Sequence, residues 1–144
     1  MGAFGGSVDE IQPLEPELWF QALGKLAVRA VDTPAAESES LLRHAFHLLQ
    51  LAPGPLKHMV RTELSESEYE HLLECEAFES AAIRLIGYPM TYTLMRCQAD
   101  IVEAEVKLPD SSDAQPVRAS NLALATIGSW AASLARLQTV SPNQ

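Results

Sequence analysis

Basic residues are scarce in this sequence. Ten Lys and Arg stand against 19 Asp and Glu, a formal net charge of −9 over 144 residues. A surface of that sign repels phosphate backbones and anionic headgroups, which argues against nucleic acid and membrane surfaces as partners. Cysteine is scarcer still. Cys75 and Cys97 are too few for a disulfide framework, and the expectation is two reduced, packed thiols, because free cysteine is among the most buried residue types. The opening residues, MGAFGGSVDEI, carry neither the basic region nor the apolar core of a secretory signal. Gly6 stands where N-myristoylation wants Ser or Thr. No HExxH, CxxC, GxSxG, Gly-rich phosphate loop or Rossmann fingerprint occurs. These absences point to a cytoplasmic protein with no cofactor and no assigned catalytic residue.

What is present is organised around residues 120–137, SNLALATIGSWAASLARL. No charge falls between Arg118 and Arg136, and Leu122, Leu124, Ile127, Trp130, Leu134 and Leu137 are separated by Ala, Gly, Ser and Thr. A helix with small or apolar residues on every face is a buried helix. At about 17 uncharged residues, and rich in Ser and Thr, it is marginal for a bilayer. The expectation is a central core helix capped by Ser120.

The remaining elements follow from periodicity and caps. Residues 1–12 read as a flexible Gly-rich leader, 13–138 as one α+β domain and 139–144 as a tail. Pro16 in a first turn flanked by Glu15 and Glu17 opens one helix, with Trp19, Ala22, Leu23, Leu26, Ala27 and Ala30 on its buried face. Thr33 before Pro34 suggests the N-cap of a second helix, burying Leu41, Leu42, Ala45, Leu48, Leu49 and Ala52 before the Pro53-Gly54-Pro55 stop. A short helical stretch is expected over 56–61. Ser65 and Glu68 form a capping box, with Leu64 stapled on Tyr69. The helix they open is expected to run unbroken to Ile86, where Gly87 and Pro89 stop it.

Residues 90–97 and 101–108 supply the β signal. Val102, Ala104, Val106 and Leu108 alternate with Glu103, Glu105 and Lys107 across a turn at 98–100, and 109–117 reads as a polar loop. The fold class is therefore α+β, mostly helical, with about four helices and one antiparallel β-hairpin packed on the buried C-terminal helix. A lone hairpin is marginal and leaves open edges. No third strand of similar quality is apparent, so pairing across a two-fold axis into a four-stranded homodimer sheet is one expected solution. A short strand in the leader or at 60–64 is the other.

Candidate chemistry is sparse. His44 and His47 lie at i, i+3 and His71 and Cys75 at i, i+4, spacings that put ligand atoms on one helical face. Seven acids and no Lys or Arg crowd residues 63–79, a poor setting for a nucleophilic thiol beside His71. Three helices followed by a hairpin match the element order of winged-helix regulators. The would-be recognition helix, however, carries Glu66, Glu68, Glu70, Glu74, Glu76 and Glu79 against Arg84 alone. Those six carboxylates read better as a docking face for a basic protein partner. The composite expectation is a non-enzymatic acidic interaction protein of adaptor, chaperone or inhibitor type, acting as a homodimer. The alternative is a small-molecule or metal-binding module, using a cavity beside the C-terminal helix or the His cluster.

Overall fold

Pro16 fixes the first turn of α1 (Pro16–Asp32), whose 17 residues bury Trp19, Phe20, Leu23, Leu26 and Ala30 along one stripe. The structure is a computed structural model describing residues 14–59, 64–87, 90–98, 101–108 and 115–137. The expected leader and tail, and a strand at 60–63, lie outside the described residues. Thr33 does not cap the second helix. Its hydroxyl turns back to donate to the Arg29 carbonyl, a 3-10 turn at Ala35–Glu37 intervenes, and α2 spans Ser38–Gln50. Every residue expected on the buried face of α2 is buried, and Phe46 joins them, stacked on Tyr69 with ring centroids 4.6 Å apart. A second 3-10 turn covers Gly54–Met59.

The long third helix is two helices, α3 (Glu66–Glu74) and α4 (Phe78–Ile86). The capping box is as the sequence reads. The Glu68 amide donates to Ser65 Oγ at 3.1 Å, and the Ser65 amide donates to Glu68 Oε1 at 2.9 Å. What the sequence hides is the break. The Ala77 amide reaches the Leu72 carbonyl and the Glu76 amide the Leu73 carbonyl, the paired bonds of a Schellman motif. That motif puts Glu76 at φ 60°, the left-handed region, where glycine is the usual occupant. Gly87, at φ 68°, ends α4 where glycine was expected.

Three strands follow in the order β1-β2-β3: β1 (Thr91–Gln98), β2 (Ile101–Lys107) and β3 (Val117–Ala119). The hairpin is antiparallel, pairing Tyr92 with Val106 and Leu94 with Ala104, with an irregularity at Cys97. Its buried face is the one the alternation marked, with Val102, Ala104, Val106 and Leu108 inward. The third strand is a correction. Val117–Ala119 closes the free edge of β2, so a dimer is not needed to cover that edge, and the end of the presumed polar loop is sheet.

The last helix, α5 (Leu122–Ala135), is buried along nearly its whole length and touches both layers, with α1 and β2 its most extensive neighbours. Asn121, not Ser120, is its cap. Asn121 Oδ1 accepts the Leu124 amide at 2.9 Å while Nδ2 donates to Ser38 Oγ at 3.0 Å, tying the starts of α5 and α2 together. Ser120 Oγ instead donates to the Thr33 carbonyl. Gly128 is the point of closest approach. A Cβ there would lie 2.8 Å from Val117 Cγ1 and 3.0 Å from Ala30 Cβ, so small residues on α5 mean close packing rather than a cavity at this position.

Two serines of α5 complete the sheet. The register pairing Ala104 with Val117 carries Val106, two positions on, opposite Gln115. Val106 N–H donates to Ser129 Oγ (2.8 Å), which donates to the Gln115 carbonyl. Gln115 N–H donates to Ser133 Oγ (3.2 Å), which donates to the Val106 carbonyl (2.9 Å). Each strand-to-strand bond is thus relayed through a hydroxyl. Thr126 Oγ1 and Trp130 Nε1, on the same helix, are buried without a hydrogen-bond partner among the described residues.

Two predictions follow from this packing. Ser129→Ala strands a buried N–H and a carbonyl and should cost about 2–3 kcal/mol by denaturant unfolding. In the double variant with Ser133→Ala, Val106 and Gln115 can close on each other, so the pair should cost less than the two single losses together. Strict additivity would show the relays to be independent. Glu76→Gly should stabilise by roughly 0.5–1 kcal/mol, because the left-handed conformation disfavours a side chain. A destabilisation would mean that the Glu76 side chain makes a compensating contact.

Candidate functional site

The six carboxylates expected to form one docking face divide into two groups. Glu68 is taken up by the capping box, and the Ser65 amide is the main cause that holds its carboxyl below the usual range. Glu70 is held by Arg43, whose guanidinium also grips Glu39 one turn away on α2. The hydrogen bond from Arg43 is what chiefly lowers the Glu70 carboxyl. Two of the six are therefore internal fasteners, one capping the start of α3 and one joining α3 to α2. Sequence reading missed Arg43; its only local signal was the i, i+4 spacing from Glu39.

The others remain outward. Glu66 is exposed at the start of α3, and Glu74, Glu76 and Glu79 are exposed around the α3–α4 corner. None of the ion pairs among the described residues uses these four. The left-handed turn at Glu76 brings the end of α3 and the start of α4 together. Beside it lies a shallow cleft of about 260 Å³ between the first turns of α4 and α5, lined by Glu76, Glu79, the half-buried Phe78, Ser80, Asn121 and Ala123. Asn121 was not expected here, because the sequence points to Ser120 as the cap of α5.

The candidate metal ligands do not converge. Among the described residues no group of three His, Cys, Asp or Glu side chains is placed to hold a metal ion. His44 and His47 are exposed on α2. Arg29 Nη1 lies 3.4 Å from His44 Nδ1, bridging α1 and α2. His71 Nε2 lies 3.7 Å from Cys75 Sγ near the end of α3. Cys75 is exposed, not packed as expected, because the helix break makes it the last cap residue of α3 and carries it to the surface. Cys97 is half-buried at the hairpin irregularity. No helix among the described residues is long and apolar enough to cross a membrane.

His44 gives the fold a pH dependence. Partial burial, then the charges of Arg29 and His47, hold its pKa below the usual value of 6.5. The folded state therefore binds this proton less readily than the unfolded chain. The His44 contribution is whole above pH 6.5 and is lost as pH falls through the folded value. Glu68 and Glu70, also lowered, act only below the ordinary carboxylate range. Thermal melts between pH 7.5 and 5.5 should show a falling midpoint that His44→Gln flattens. An equal slope in both proteins would assign the dependence elsewhere.

Searches with the whole chain against protein-family models, curated proteins and solved structures return no match, so the functional reading rests on the geometry of this molecule.

Proposed function

We propose that this protein is a non-enzymatic interaction module that takes a basic segment of a protein partner at its α3–α4 corner. One observation carries the reading: Glu76 and Glu79 line a cleft together with Phe78, Glu74 ends α3 two residues before, and all three carboxylates stand exposed and outside the ion pairs of the described residues. Carboxylates already committed to Arg side chains have little left to offer a partner, whereas these three are available to Lys or Arg. The half-buried ring beside them adds an apolar contact and a face on which a cation can sit. The net charge of −9 extends the attraction beyond the corner, speeding encounter with a basic partner and excluding acidic ones.

A Lys/Arg-rich peptide of about a dozen residues, followed by fluorescence anisotropy, tests this directly. Binding should weaken at least tenfold in the Glu74→Gln, Glu76→Gln, Glu79→Gln triple variant, and again between 0.05 and 0.5 M salt. Neutralising Glu15 and Glu17 on α1 is the control for bulk charge. If that control weakens binding as much as the triple variant, the corner is not the site.

A further inference from the structure

Among the described residues the uncovered edge of the sheet is β1, and we propose that it pairs with β1 of a second copy of this chain to form a six-stranded sheet. This inference is independent of the acidic corner, which lies on α3 and α4.

Among the described residues β1 has β2 as its only strand neighbour. A strand edge presents unpaired N–H and C=O groups that serve as a template for another strand. The side chains add a second observation. Tyr92, Leu94 and Arg96 stand opposite Val106, Ala104 and Val102, and directly opposed residues of an antiparallel pair share one face. Those three partners are buried beneath α5. Their neighbours on β1 are not. Tyr92 is 43% exposed, Leu94 is half-buried and Arg96 is exposed. The cover supplied by α5 thins beyond β2: Leu94 still packs against the core, but Tyr92 and Arg96 on the same face of β1 overhang it.

Charge selects the occupant. In a chain with 19 acidic residues, the strand Thr91–Gln98, TYTLMRCQ, contains none, and Arg96 is its one formal charge. Two copies can therefore meet edge to edge without opposing carboxylates on the contacting strands. The pairing is also self-complementary. A two-fold axis perpendicular to the sheet keeps both overhanging faces on one side only if even-numbered residues face even-numbered ones. Centred on Leu94, it sets Leu94 against Leu94, Thr93 against Met95, and Tyr92 against Arg96 on both sides of the axis. The last is a cation over an aromatic face, repeated by symmetry. Met95, 54% exposed on the opposite face, is covered by the same pairing.

The test is the mass of the full chain by light scattering and native mass spectrometry at tens of micromolar. Twice 15.7 kDa is expected. Leu94→Lys places like charges on the axis and should give a monomer, with circular dichroism and thermal melting reporting that the fold persists. A covalent readout does not depend on that variant. In a Cys75→Ser, Cys97→Ser background, Leu94→Cys lies on the axis opposite its own counterpart, within the regular part of the strand, and should give a disulfide dimer on a non-reducing gel. The same background with Leu94 intact holds no cysteine and should give no such product. A wild-type monomer, a dimer that survives Leu94→Lys, or a dimer in which Leu94→Cys does not cross-link would each overturn the proposal.

Discussion

Two hydroxyls hold the helical layer and the sheet to one geometry. Ser129 and Ser133 stand where Val106 and Gln115 would otherwise bond directly, and they satisfy all four backbone groups. A purely apolar helix could press against this sheet at many angles. A helix whose side chains are links in the sheet's own hydrogen bonding is fixed in rotation and in height. Gly128, one residue before Ser129, then lets Val117 and Ala30 approach the helix from the sheet and from α1. Close approach and relayed bonding are two consequences of one choice, a central helix built from small and hydroxyl side chains. Thr126 shows what that choice costs, since its buried hydroxyl has no hydrogen-bond partner among the described residues.

The excess of negative charge has two uses that composition cannot separate. Glu68, Glu70 and Glu39 act within the molecule, as cap and as ion-pair partners. Being exposed, the ion pairs supply little stability, and their value lies more in setting α3 against α2. The carboxylates at the α3–α4 corner have no such duty, which is why the proposed binding surface is smaller than the acidic run in the sequence.

Most of the fold was legible because burial leaves a period. The stripes of α1 and α2, the capping box at Ser65 and the alternation of β2 are all patterns that one residue type repeats at fixed spacing. The misses share the opposite character, a single backbone event without a repeating signal. Glu76 breaks a helix in a conformation that glycine usually marks, so nothing in the sequence announced it. The strand β3 is only three residues long and follows a proline, too short to display alternation. Asn121 and Ser120 are adjacent and both able to cap; only the fold decides that Asn121 also reaches Ser38. For the candidate site, the acidic residues were visible and their division was not, because it depends on Arg43 approaching from another helix.

The order of elements along the chain has a consequence for how the protein is made. On a ribosome, α1 emerges first and α5 after every other described element, yet α1 lies against α5. α2 covers part of the apolar stripe of α1, with Trp19 Nε1 donating to the Leu48 carbonyl, and the rest waits for α5. Contacts between residues so distant in sequence slow folding, and exposed apolar surface in the interim favours aggregation. Shortening the chain before α5 therefore removes not a peripheral helix but the element on which both layers close.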